Sequence, residues 1–210
     1  MRLGIMGGTF DPIHFGHLFI AEEARVQFEL DRVLFIPNGC PPHKPGREVA
    51  PAADRFAMAE IATCGNTGFA CSAIEMRSAG PFYTVDTLDL LRDEHPGAEL
   101  FTIVGVDAIA EITTWRRPED VLAKTTFITA TRPGFDFETL NERLPRSYLA
   151  KILRLDSTAL QISSTDIRER VRRGRPIRYL TPDGVVEYVA RSNLYAAPRD
   201  EPIRESSTTL

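Results

Sequence analysis

Leu3-Gly4-Ile5-Met6-Gly7-Gly8-Thr9-Phe10-Asp11-Pro12-Ile13-His14-Phe15-Gly16-His17 opens the chain. Leu3–Met6 is a short apolar run that reads as a buried strand, and the glycine pair behind it reads as a turn. The polarity after Gly16 has a helical period, so residues 16–30 read as a helix. A strand, a glycine turn and a helix in succession form a phosphate-type junction. Glycines let a ligand come close to the backbone, and the exposed N–H groups of the helix start favour an anion.

The same alternation continues along the chain. Residues 32–37, 69–74, 100–104, 126–130 and 153–155 read as further buried strands, and residues 53–64, 84–95 and 118–124 as helices between them. In the segment from Thr84, Val85, Leu88 and Leu91 recur at helical spacing. Repeated strand–helix units predict right-handed crossovers and a parallel sheet covered on both faces. The expected fold class is therefore α/β, a Rossmann-like doubly wound parallel sheet, with its ligand cleft at the carboxyl ends of the strands. A small C-terminal helical segment follows. Residues 164–173 read as a helix with Ile167 and Val171 on one face, and Thr181-Pro182 reads as the start of another that runs to about Asn193. Residues 1–195 are expected to form one domain. Residues 196–210, rich in Pro, Ser, Thr and charge, are expected to be a flexible tail.

The chain has 210 residues, 43% apolar and 26% charged, with a net charge of −4. These values fit one globular domain and exclude a globally basic nucleic-acid binder. Three cysteines (Cys40, Cys64, Cys71) form no CxxC pair and are odd in number, which points to a reducing compartment. No apolar run approaches a membrane span, and no secretory signal pattern is present, so the expected location is the cytoplasm. The sequence leaves the oligomeric state open, a homo-oligomer included.

Three of the four histidines (His14, His17, His43) fall in the loops after the first two strands. His14 and His17, three apart at a helix start, can face one pocket and donate to phosphate oxygens. Gly16 between them would leave room for a base or ribose against the backbone. A zinc set of His14, His17, Cys40 and His43 is the competing reading, but neither HxxH nor CxxH has structural-finger spacing. No metal ligands are assigned.

The segment Gly-Gly-Thr-Phe-Asp-Pro-Ile-His-x-Gly-His resembles the signature of the nucleotidylyltransferase superfamily, in the form found in bacterial nicotinate-nucleotide adenylyltransferases. Further segments are similar to the same family and carry the resemblance across residues 1–195. They are Pro37–Lys44, Pro81–Leu88, Ile103–Asp107 with Trp115, and Ile162–Arg168. Membership would imply transfer of AMP from ATP to nicotinate mononucleotide, giving nicotinate adenine dinucleotide and pyrophosphate, with Mg2+ carried by the ATP. His14, His17 and Arg168 would be catalytic. Gly7, Gly8, Thr9, Phe10, Gly16, Gly105, Asp107, Ser163, Ser164 and Thr165 would bind ATP. Lys44, Tyr83, Thr84 and Trp115 would bind the mononucleotide, the helix start at Thr84 receiving the nicotinate carboxylate and Trp115 stacking on the ring.

Local readings stand beside these roles. Thr84 is a good N-cap, and Ser163 with Asp166 matches a capping box. Phe82 stands where the family has a small residue. The alternatives from the residues alone are an adenylyltransferase for nicotinamide mononucleotide or another small molecule, and a non-catalytic nucleotide-sensing module.

Overall fold

The computed structural model describes residues 1–39, 49–77, 82–130, 137–158 and 160–197. Six parallel strands form one sheet: β1 (Arg2–Gly8), β2 (Arg32–Pro37), β3 (Phe69–Cys71), β4 (Glu99–Gly105), β5 (Thr126–Ala130) and β6 (Ile152–Leu155). Their spatial order is β3-β2-β1-β4-β5-β6. The chain winds outward from β1 in one direction, then returns to lay β4 on the other side of β1. That reversal opens a crevice beyond the carboxyl ends of β1 and β4, where doubly wound sheets bind ligands.

Period-two alternation assigns each strand residue to a layer. Leu3, Ile5, Leu34 and Ile36 join a core with Val85, Leu88 and Leu91 of α3 (Thr84–Glu94) and Val121 of α5 (Pro118–Lys124). Met6, Val33 and Phe35 face the opposite core. It is filled by Ala21 and Ala24 of α1 (Phe15–Gln27) and by Met58 and Ala59 of α2 (Ala52–Thr63). Ile167 of α8 (Ser164–Arg172) and Val185 and Val189 of α9 (Asp183–Arg191) pack into this same core. Each Val, Leu, Ile, Phe or Met among them stabilises the fold by about 1.5–3 kcal/mol on full burial. The C-terminal helices are therefore seated on the sheet beside the first junction.

Several boundaries differ from the sequence expectation. Helix α1 ends at Gln27 instead of Leu30 because Glu29 turns left-handed (φ 49). The Leu30 amide then bonds to the Arg25 carbonyl and the Glu29 amide to Val26, a Schellman-type close. Strand β3 stops at Cys71, since the Ser72 hydroxyl accepts from the Ile74 amide and turns the chain. Ile74–Met76 forms a 3-10 turn that drops Ile74 into the core. Helix α9 begins at Asp183 with Pro182 as its cap residue, not Thr181. Three short helices, α4 (Val106–Ile109), α6 (Phe137–Arg143) and α7 (Arg146–Leu149), were not anticipated; α4 and α7, four residues each, are too brief to show a helical period. Among the described residues, no helix is long and apolar enough to cross a membrane. Residues 198–210, most of the expected tail, lie outside the described residues, as do Cys40, His43 and Lys44.

Candidate active site

The loop from Gly8 to His14 is held by its carbonyls. Arg55 of α2 donates to the Thr9 carbonyl at 2.8 Å, and Arg168 of α8 to that of Asp11 at 2.6 Å. The Ser164 hydroxyl donates to Pro12 at 2.9 Å, and the buried Thr181 hydroxyl donates to Ile13 at 2.7 Å. Four peptide acceptors of one loop are thus engaged by donors from outside it. An anionic ligand would otherwise meet those oxygens as repulsive ends. Phe10 sits at positive φ (48), with its ring buried edge-on against His17 at 5.1 Å. Its side chain therefore belongs to the core and supports the histidine.

The Asp11 carboxylate, 4% exposed, ties further parts of the chain to this loop. It accepts from the Tyr195 hydroxyl at 2.7 Å and the Ala50 amide at 3.2 Å, and lies 3.6 Å from Arg168. Burial and then the Asp11 charge push the Tyr195 phenol well above its ordinary range. Arg168 also reaches Thr165 at 3.2 Å and is itself 5% exposed. The sequence reading placed Arg168 at the triphosphate; its guanidinium is seated against the loop that would hold the phosphates.

Helix α1 starts immediately after His14. The His14 amide donates to Nδ1 of His17 at 3.2 Å, and the two rings stack with centroids 3.7 Å apart. Since Nδ1 of His17 accepts, the neutral ring carries its proton on Nε2, as a donor. Gly16 has a nearer reason than ligand room: a Cβ there would lie 3.0 Å from Nδ1 of His14. Both histidines and Gly16 border a cleft of about 230 Å³ whose far wall is Ile103, Val104 and Gly105 of β4. Asp107 is exposed, its carboxylate folded over Gly105, which borders the cleft.

A second cleft, about 270 Å³, lies on the other side of Gly7 and is bordered by Gly8, Thr9, Glu75, Thr84, Thr87 and Trp115. It adjoins a wider hollow of about 510 Å³ between Tyr83, Glu111, Trp115 and Arg116. Gly7 and Val104 border both the first and second clefts, and a Cβ at Gly7 would meet nothing within 4 Å. Trp115 is less exposed than its polar neighbours imply. One edge packs on Phe127 at 5.9 Å, and the remainder walls the cleft. Thr84 is the first helical residue of α3, with Tyr83 as the cap residue and no side-chain cap bond. The first amides of α3 still lack intrahelical acceptors, as at any helix start. At α8 the cap is as expected on one side only. Ser163 accepts from the Asp166 amide at 3.1 Å, while the Asp166 carboxylate turns to Arg170.

Sequence reasoning missed two polar residues of this region. Arg55, 1% exposed, donates to the carbonyls of Thr9, Asn38 and Ala50 at 2.7–2.9 Å and so joins the loops after β1 and β2. Its signal was a charge on the apolar face of α2, one turn from Met58 and Ala59. Glu75, 8% exposed, accepts from the Thr87 hydroxyl at 2.7 Å. Burial raises its pKa, against the hydrogen bonds from Thr87 and Gly39 and the charge of Arg55.

A family model for cytidylyltransferase-like proteins matches residues 5–170, from the middle of β1 to α8. A protein of Desulfitobacterium hafniense (strain Y51), named probable nicotinate-nucleotide adenylyltransferase, is 50% identical over 197 residues. The match covers 92% of this chain and 95% of that protein. A protein of the same name from Corynebacterium kroppenstedtii is 50% identical over 194 residues, covering 92% and 90%. The chain belongs to the nicotinate-nucleotide adenylyltransferases of the cytidylyltransferase-like family. The chain is thus a nucleotidyltransferase of NAD biosynthesis, as the signature from Gly7 to His17 implied. A solved adenylyltransferase from Plasmodium falciparum, described as a nicotinic acid mononucleotide adenylyltransferase complexed with NaAD, has the same fold. Its TM-score is 0.76 at 20% identity, over 92% of this chain and 97% of that one. At that identity the likeness concerns the fold alone.

Proposed function

We propose that the protein transfers AMP from ATP to nicotinate mononucleotide, forming nicotinate adenine dinucleotide and releasing pyrophosphate. The observation that carries this reading is the pair of clefts joined at Gly7, where the absence of a side chain lets two bound substrates touch. ATP enters the histidine cleft as its Mg2+ complex, the metal being part of the substrate. The mononucleotide enters the second cleft, its ring against Trp115 and its carboxylate at the first amides of α3. An oxygen of the mononucleotide phosphate attacks the α-phosphorus. A new O–P bond forms there as the bond to pyrophosphate breaks in line.

No protein nucleophile takes part. Burial pushes the Cys71 thiol up to about 11, so it stays protonated at neutral pH. Catalysis is positioning and charge stabilisation. His17 offers its Nε2 proton to the phosphates around the reacting centre, and His14 holds His17 in that tautomer. Arg168 and Ser164 serve the phosphates through the loop they hold and Thr165 through Arg168, with Lys44 adding a cation. Ser163 holds the start of α8, and Asp107 with Gly105 borders the ribose. Tyr83 walls the pyridine side.

The test is incubation of the protein and Mg–ATP with each mononucleotide, with products identified by mass. Nicotinate adenine dinucleotide and pyrophosphate in equal amounts are expected, with kcat/KM for the acid tenfold to a hundredfold above the amide. Equal use of the two would remove the acid assignment, and no pyrophosphate from either would remove the transfer itself.

A further inference from the structure

The pyridine reading leaves one group in the second cleft without a task. Glu75 stands in its wall beside Thr84, Thr87 and Trp115. It is fixed from two sides. The Thr87 hydroxyl and the Gly39 amide both bond to its carboxyl group. Gly39 packs so closely that a Cβ there would lie 2.1 Å from the Glu75 carbonyl oxygen. The carboxyl group therefore stays in the cleft wall.

Arg55, from α2, acts on the carboxyl as a neighbouring charge, with its N–H groups aimed at the carbonyls of Thr9, Asn38 and Ala50. On α3, Asp86 lies in the first turn, Asp89 pairs with Lys124, and Glu94 pairs with Arg77. Arg116 lies over the Tyr83 ring. Burial already favours the protonated acid at Glu75. An anionic substituent brought into the same cleft adds a like charge, and two carboxylates sharing one site do not both stay ionised at low cost.

We propose that Glu75 is a specificity-determining residue, and that the cleft takes the acid form of the pyridine with Glu75 protonated, so that nicotinate binding carries in a proton that nicotinamide binding does not. This rests on the pyridine lying in the second cleft. The proton comes from solvent and remains on the Glu75 carboxyl, which becomes a hydrogen-bond donor beside the substrate carboxylate. An ionised Glu75 is an acceptor only, a match for the carboxamide NH2. The preference for the acid therefore falls as pH rises past the pKa of Glu75. For a single linked proton the limit is about tenfold per pH unit.

Titration calorimetry of the intact protein, in two buffers of different ionisation enthalpy, counts the protons. The 5′-phosphate is common to both mononucleotides and cancels in their difference. Between the pKa of Glu75 in the free protein and its higher pKa in the acid complex, nicotinate mononucleotide is expected to take up about one proton more than nicotinamide mononucleotide. Below the lower of the two the difference vanishes. Glu75→Gln should abolish the difference and make the acid-to-amide ratio of kcat/KM independent of pH. Equal proton uptake by both ligands in the unmodified protein across this range overturns the proposal and leaves adenylyl transfer untouched. Unaltered affinity for both mononucleotides in Trp115→Ala places the ring elsewhere and overturns the pyridine reading with it.

Discussion

Replacing Arg55 by Met keeps much of the volume and removes the guanidinium that joins the loops after β1 and β2. Three carbonyls, those of Thr9, Asn38 and Ala50, lose donors at 2.7–2.9 Å, and the side chain involved is 1% exposed. Each buried acceptor left unmatched costs about 1–3 kcal/mol. The variant avoids burying a charge, which offsets part of the loss, so the lower end applies and the sum is about 3 kcal/mol. Domains of this size typically lose about 2–4 °C in Tm per kcal/mol, so a fall of about 6–12 °C is expected. Because both loops border the clefts, kcat should fall by more than the unfolded fraction explains. Arg55→Lys, with one donor centre in place of a fork, should lie between the two. Thermal unfolding, with kinetics measured well below the transition, checks the estimate. A Tm within about 2 °C of the unmodified protein would mean that these carbonyls find other donors, and the account of the joined loops would fail.

His17→Ala should lower kcat about a hundredfold while ATP affinity changes less, measured by steady-state kinetics and direct binding. Near-normal turnover would remove His17 from the reaction. Gly16→Ala pushes a methyl to 3.0 Å from the His14 ring and should unstack the histidines, with kcat lowered and Tm little changed. An unaltered kcat would show that the stack is incidental. Tyr195→Phe removes only the hydroxyl bonded to Asp11. It should raise KM for ATP severalfold and leave KM for the mononucleotide unchanged, and the reverse pattern would contradict the link from Asp11 to the histidine loop.

The sheet was legible because its strands are buried on both faces, so runs such as Val33–Ile36 stand out as apolar blocks. The strand, glycine turn and helix from Leu3 to Gln27 were legible in the local pattern. His14-x-x-His17 has bland uses by itself and drew its reading from the clustering of histidines after strands and from the family signature. Contacts between distant positions were not legible. Nothing local to Thr181 says that its hydroxyl reaches Ile13, 168 residues away, so it read as a helix cap. Thr84 failed as a cap for a similar reason, since Tyr83 in an extended conformation takes that place. Trp115, set among polar residues, hid the Phe127 edge that anchors it. Arg55 lay beside Asp54 and Glu75 between Ile74 and Met76, where a charge is a signal only once its neighbours in space are known.

The donors that hold the carbonyls of Thr9, Asp11, Pro12 and Ile13 belong to α2, α8 and the approach to α9. All six strands are complete by Leu155, before α8 or Thr181 has emerged from a ribosome. A nascent chain of that length could pair its sheet yet would lack the Arg168, Ser164 and Thr181 restraints on its anion loop. Competence for chemistry is thus a late acquisition in synthesis, separated from sheet formation by about thirty residues of translation. A protein cut before Ser164 would keep all six strands and the Arg55 tie to Thr9, but would lose the Arg168, Ser164 and Thr181 ties to the loop.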